Sequence, residues 1–224
     1  MTRVNNKQNI IAIDGPAGVG KSTVARRLAR RLGLIYIDTG AMYRTVALAA
    51  DRAKIGEFTD ETMTPLMLKI RISFTDDSRV LLHGEDVAQY IRSARITDLS
   101  SKVSAVPVVR EGLVALQRKL GAKGGIVMEG RDIGTVVFPD AGCKIFLTAS
   151  PEERAKRRRD QLISMGKEAD YDEILRDMKI RDERDRTRET SPLIRAEDAH
   201  LIVTDDYTID DTIAEIVKIY KASK

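Results

Sequence analysis

The residues of this chain with the plainest capacity for chemistry are Gly15-Pro16-Ala17-Gly18-Val19-Gly20-Lys21-Ser22, which fit the spacing G-x-x-x-x-G-K-[ST]. Glycines at 15, 18 and 20 let the backbone turn tightly and bring its N–H groups against phosphate oxygens. A helix beginning near Lys21 would aim the positive end of its dipole at the same anion. Lys21 would reach the β- and γ-phosphates of a nucleoside triphosphate as a point charge, and the Ser22 hydroxyl would ligand Mg²⁺.

A second group of residues is cationic. Arg44 follows Asp38-Thr39-Gly40-Ala41-Met42-Tyr43, and Arg131-Asp132 lie within Glu129-Gly130-Arg131-Asp132-Ile133-Gly134-Thr135. The stretch from Glu152 to Arg195 interleaves many arginines with acids, so most of these side chains read as a solvated helix face laced with i,i+4 pairs. At 3.6 residues per turn, however, Arg181, Arg184, Asp185 and Arg188 share one face. Guanidinium forks match phosphate oxygens bidentately, and a second phosphate beside a triphosphate site needs such neutralisation. The set points to phosphoryl transfer onto an acceptor that is itself a phosphate. A nucleoside monophosphate, with a second phosphate pKa of about 6, is already a dianionic nucleophile near neutral pH. No general base is then required, and His83 and His200, in a hairpin and at a strand start, read as structural.

The elements that must position these groups are legible as apolar runs. Ile10-Ile11-Ala12-Ile13 is short and β-branched, as a strand buried on both faces should be. Ser22 to Leu32 has helical spacing, Leu34 to Asp38 reads as a strand, and Ala41 to Ala50 as a helix. Ile126-Val127-Met128, Lys144 to Thr148 and His200 to Thr204 have the same buried-strand character, with helices over Pro151 to Met165 and Ile209 to Tyr220. Five strands separated by helices imply an α/β fold whose parallel sheet is covered on both faces, with ligands at the carboxyl ends of the strands. The alternation breaks between about Gly56 and Val106. There, Ile70 to Phe74 and Arg79 to His83 alternate apolar and polar residues around Asp76-Asp77-Ser78, a hairpin signal that marks a small inserted α+β subdomain. Gly166 interrupts two charged helices, as a hinge for a flap over the site would.

Composition narrows the class further. The chain has 224 residues, enough for one large domain with appendages, and its formal charge of +4 is small against 38 basic and 34 acidic side chains. Mixed signs argue against a nucleic-acid-binding tail. Cys143 is the only cysteine, so neither an internal disulfide nor a multi-cysteine zinc site is expected. The residues up to Asn9 lack the apolar core of a signal peptide. A cytoplasmic protein is expected, with no membrane span and no nucleic-acid partner.

Four segments together carry a specific resemblance: Ile13-Asp14-Gly15-Pro16 leading into the loop, Asp38 to Arg44, Gly130 to Ala141, and Arg181 to Arg188. On these the chain, from Ile11 to about Tyr220, resembles the bacterial cytidylate kinases, members of the nucleoside monophosphate kinases. The resemblance implies transfer of the ATP γ-phosphoryl group, with Mg²⁺, to CMP or dCMP by a monomer. It also implies a P-loop five-stranded parallel core (1–55 and 107–224), a helical lid at about 156–172 and an acceptor-binding insertion (56–106). By motif matching, Gly15 to Ser22 with Thr23 would hold ATP. Ser101, Arg110 and Asp132 would read the cytosine edge. Thr39, Tyr43, Arg44, Arg131 and Arg188 would surround the acceptor and its phosphate, and Arg181 and Asp185 would face the sugar. Lys21, Arg44, Arg131 and Arg188 would be the catalytic cations. Among Arg154, Arg157 and Arg158, in the helix entering the lid, Arg157 and Arg158 are the ones assigned to ATP. Glu129 departs from the aspartate the family often carries, and Asp38 reads equally as a carboxylate near the metal or as a helix cap. The rival readings are another small-molecule P-loop kinase, with a UMP, dTMP or shikimate-type acceptor, and a nucleotide-dependent nucleic-acid binder.

Overall fold

A computed structural model describes residues 9–75 and 77–223. Two compact units emerge, one formed by the chain up to Tyr36 and from Lys123 onward, the other by Ile37–Ala122. The expected 56–106 segment falls inside the second.

The first unit is built on the five-stranded sheet that the apolar runs predict. Its strands are β1 (Ile10–Asp14), β2 (Ile35–Asp38, along which the chain passes from the first unit into the second), β6 (Ile126–Gly130), β7 (Cys143–Thr148) and β8 (His200–Val203), in the order β2-β6-β1-β7-β8. β1 is central and pairs in parallel with both β6 and β7, aligning Ile13 with Glu129 and with Ile145, and β7 pairs in parallel with β8. All five residues of β1 are buried, which explains why its sequence shows no alternation. Helices α1 (Lys21–Leu32) and α8 (Ile209–Ala222) pack together with this sheet. Val24, Ala25, Leu28, Ile213, Ile216 and Tyr220 join Ile11, Ile13, Ile145 and Leu147 in one core. Cys143 opens β7 and is buried there, and burial pushes its thiol up to about 12, so it behaves as an inert small hydrophobe.

Between β6 and β7 the chain forms a π-helical turn, Ile133–Val137, that the sequence pattern did not reveal. Both Val136 and Val137 donate to the Asp132 carbonyl (2.9 and 3.2 Å). The side chain of Asp14 ends β1 by accepting from the Ile133 and Gly134 amides (2.8 and 2.7 Å). This carboxylate therefore ties the turn following Arg131 and Asp132 to the strand that leads into the glycine loop. A side chain at Gly134 would crowd both the Lys144 stem (3.3 Å) and Asp14 (3.4 Å). Lys144 is itself buried, donating to the Pro139 carbonyl and to both oxygens of Asp198.

The charged helices are α6 (Pro151–Ser164) and α7 (Tyr171–Thr187), packed on each other and capped by Ser150 and Asp170. Gly166 lies between them at φ +71°, closing α6 through its amide to the Ile163 carbonyl (2.9 Å).

The second unit contains α2 (Thr39–Arg52), α3 (Asp60–Lys69), α4 (Ala94–Val103), α5 (Pro107–Gly121) and a small antiparallel sheet. That sheet is β3 (Ile72–Phe74), β4 (Val80–Leu82) and β5 (Glu85–Asp86), so the expected hairpin is present with a third, two-residue strand added. Asp76 of the expected turn lies outside the described residues. Arg52 holds Glu85 through two hydrogen bonds (2.7 and 2.9 Å), fixing the short strand to α2.

Candidate active site

The glycine loop connects β1 to α1 as the motif requires. Gly15, Gly18 and Gly20 all have positive φ (+149°, +82° and +91°), and Gly20 is the N-cap of α1. No side chain caps that helix, so its first amides are available to an anion. Lys21 is buried and folds back to donate to the Pro16 carbonyl (2.7 Å) across the loop. Desolvation, reinforced by the nearby Arg131 guanidinium and opposed by Glu129, pushes its ammonium down to about 7. Ser22 and Thr23, the next two residues of α1, are exposed.

Glu129 lies at the carboxyl end of β6 and is buried. Its Oε1 accepts from Ser22 Oγ (2.5 Å) and from the Tyr36 hydroxyl (3.1 Å). The glutamate that departs from the commoner aspartate is thus built into the loop's polar network. Among the described residues no group of three or more His, Cys, Asp or Glu side chains is arranged to hold a metal ion. A hydroxyl beside one carboxylate is instead a hard-oxygen set suited to Mg²⁺, which takes one or two protein ligands plus substrate phosphates.

Arg131 follows the same strand and is paired with Asp185 of α7 (2.8 Å), both largely shielded from solvent. Burial works against the Asp185 carboxylate, but the guanidinium of Arg131, with Arg181 and Arg188 beyond it, holds its pKa below the usual 3.8. A depressed pKa stabilises the fold above pH ~4 and loses that contribution as pH falls through the folded-state value. Asp185→Asn should therefore destabilise the protein by about 2 kcal/mol near neutrality, by leaving Arg131 unpaired. Thermal unfolding followed from pH 7 to pH 3 should show the variant and parent curves converging at the acid end. Asp14 behaves oppositely. Its carboxyl is pushed up to about 6 by burial, against the pull of its two amide donors, so it subtracts stability as pH rises through that range.

Of the four residues on the expected arginine face, Asp185 is buried and Arg181 and Arg188 are half-buried, while Arg184 is exposed. Arg188 caps α7 in an extended conformation and donates to the Ser191 carbonyl (2.6 Å). Helical spacing alone could not show that the last of the four stands where the helix has ended.

Among the three arginines of α6, the one tied to the loop is Arg154. It is buried, donates to the Ala149 carbonyl (3.1 Å) and to the loop carbonyl of Ala17 (3.0 Å), and grips both oxygens of Asp182 on α7 (3.0 and 2.5 Å). Arg157 reaches the end of β8, at Thr204 Oγ1 (3.2 Å) and the Thr204 carbonyl (2.5 Å), and Arg158 turns to Gln161 on its own helix. A side chain at Gly18 would meet Met178 (3.2 Å) and Arg154 (3.3 Å), so both helices back the loop.

In the second unit Asp38 caps α2 by accepting from the Ala41 amide (2.7 Å), and its other oxygen accepts from Arg44 (3.2 Å). Thr39 is buried in the first turn of that helix. Arg110 is buried, lies over the ring of Tyr43 (5.7 Å) and donates to the Ser104 carbonyl (3.3 Å), while Ser104 donates to the carbonyl of Ser101 (2.9 Å). Tyr43, Ser101 and Arg110 are thus linked within one unit. Asp132, assigned to the same base, is buried in the other.

A glycine loop between a central strand and a helix, a buried lysine folded into it and arginines at the carboxyl ends of parallel strands define a P-loop kinase. Its family follows from the whole chain. Residues 11–222 match the model of the cytidylate kinase family, and the chain belongs to that family. It is 48% identical over 217 residues to a cytidylate kinase of Syntrophotalea carbinolica, covering 96% of this chain and 92% of the relative. It is 50% identical over 206 residues to one of Caldanaerobacter subterraneus, covering 92% of each. An uncharacterized protein from Eubacterium ventriosum has the same general fold (TM-score 0.52, 15% identity, covering 96% of this chain and 99% of that one). The chain is a phosphotransferase.

Proposed function

We propose that this chain transfers the γ-phosphoryl group of ATP to the phosphate of CMP or dCMP, releasing ADP and the cytidine diphosphate. The observation that carries the reading is the pairing of a built phosphate loop with a partnered, largely shielded arginine at the adjacent strand end. Lys21 folds over the loop, and Arg131 is held by Asp185 at the adjacent strand end. Membership of the cytidylate kinase family supports the choice of acceptor.

Each residue then has a physical task. The backbone N–H groups from Ala17 to Thr23 bind the donor phosphates, with Gly15 and Pro16 shaping the start of the loop, and Lys21 exchanges its bond to Pro16 for phosphate oxygens, regaining the charge that burial disfavours. Bound Mg²⁺ would supply charge neutralisation between donor phosphates, with Ser22 as its protein ligand and Glu129 beside it. Arg44, Arg131 and Arg188 hold the acceptor phosphate and offset repulsion between two anions, while Arg181 and Asp185 orient the sugar. Ser101, Arg110 and Asp132 read the base, with Thr39 and Tyr43 beside the acceptor. Arg157 and Arg158 approach the donor when the 156–172 lid closes and excludes water, and 56–106 is the acceptor-binding insertion. The protein works as a cytoplasmic monomer. Among the described residues no helix is long and apolar enough to cross a membrane.

Phosphorylation of CMP, dCMP, UMP and AMP measured side by side tests this. CMP turning over no faster than AMP would overturn the acceptor assignment. Asp132→Ala should lower kcat/KM for CMP by about 10-fold or more while changing that for UMP little, because a buried partner of the cytosine edge is lost. Equal losses on both would remove Asp132 from base reading.

A further inference from the structure

The least expected partner of the loop is a tyrosine. Tyr36 is the second residue of β2, Glu129 the fourth of β6, and these strands are neighbours at one side of the sheet. Both side chains are 4% exposed. The Tyr36 hydroxyl and Ser22 Oγ donate to one and the same oxygen, Glu129 Oε1 (3.1 and 2.5 Å). The Arg26 guanidinium lies over the Tyr36 ring (5.4 Å).

We infer that Tyr36 is a positioning residue for the magnesium ligand set: by fixing Glu129 Oε1 it orients the Ser22 hydroxyl for a divalent cation. The inference rests on the magnesium reading above. Its physical basis is the direction of the Ser22 proton. A hydroxyl has one proton and two lone pairs, and it serves a cation well only when its proton is committed elsewhere. Glu129 takes that proton. Glutamate has three side-chain torsions, one more than aspartate, so its carboxylate needs a second restraint to remain at the bond-forming position. The buried tyrosine supplies it from a ring with only two torsions, itself pinned by the strand and by Arg26. Partners of this kind set ligand orientation without touching the metal.

Tyr36→Phe removes the hydroxyl and keeps the ring. Binding of Mn²⁺ to the ADP complex, followed by electron paramagnetic resonance, should weaken by about 10-fold, the lower end of what such outer partners contribute. Binding of ADP in EDTA, measured by calorimetry, should stay within about twofold of the parent, because the loop amides and Lys21 are unaltered. In a Glu129→Ala background, which removes the shared acceptor of both hydroxyls, the same substitution should weaken Mn²⁺ binding no further. Equal Mn²⁺ affinity in the Phe variant and the parent, or an undiminished loss in the Ala background, would overturn the inference while leaving the magnesium reading intact. A parent protein whose ADP complex bound no Mn²⁺ would overturn both.

Discussion

Lys21→Ala is expected to lower kcat by about 10²-fold or more, close to 3 kcal/mol of transition-state stabilisation, without lowering the unfolding temperature. The two halves of that expectation come from the same burial. Lys21 is 5% exposed, and its ammonium is pushed down to about 7 because the folded protein disfavours the charge. Phosphate oxygens reverse that penalty, so the charge is most strongly engaged when phosphates are present. Removing the side chain forfeits that engagement, but it also relieves the resting fold of a poorly solvated cation, which offsets the loss of its hydrogen bond to Pro16 and of its attraction to Glu129 and Asp185. Steady-state kinetics with saturating ATP, beside thermal melts of the free protein, measure both. A variant that lost stability and activity in proportion would show that Lys21 acts through the fold.

Gly15→Ala is expected to act the other way, through structure first. A Cβ at position 15 would sit 2.0 Å from the Leu147 carbonyl oxygen, which belongs to the carboxyl end of β7, where the strand is still paired with β8, and is backbone rather than a flexible side chain. The backbone there, at φ +149°, is also one that side-chain-bearing residues rarely adopt. Clash and strain together should lower stability by more than ~3 kcal/mol and take nucleotide binding with it. Urea unfolding gives the first number. A Gly15→Ala protein within about 1 kcal/mol of the parent would mean that the loop enters the sheet edge with more slack than its geometry allows.

Much of this was legible because the signals are local. The buried strands β1 and β6 announced themselves as apolar runs, and the loop by a spacing that leaves few alternatives. By contrast β8, expected to be buried likewise, lies at the end of the sheet order and leaves Leu201 and Val203 exposed. The hairpin was read from period-two alternation, whereas its third strand, two residues long, has too little sequence to show a period. Hidden features share a different origin: they are made by residues distant along the chain. Asp14 meets the π-helical turn across about 120 residues, and Glu129 meets Ser22 across 107. Tyr36 reads as one more apolar position in a strand until the structure shows a carboxylate at its hydroxyl. Asp38 was equally readable as a cap or as a carboxylate near the metal. Here it caps α2 and pairs with Arg44 in the same gesture, something no spacing rule encodes. The role-by-role assignment of the arginines came from motif resemblance, since position in a helix does not say which guanidinium is partnered and which lies open to water.

Arg154 carries an implication for how the two charged helices can evolve and move. Its single planar head is shared between a carbonyl of the glycine loop and a carboxylate of α7. Any excursion of α7 that parts Asp182 from it strands a shielded cation beside the loop, while any shift of Ala17 slackens the grip on the helix. One guanidinium thus joins the phosphate loop to α7, and a substitution at Arg154 would release both attachments at once.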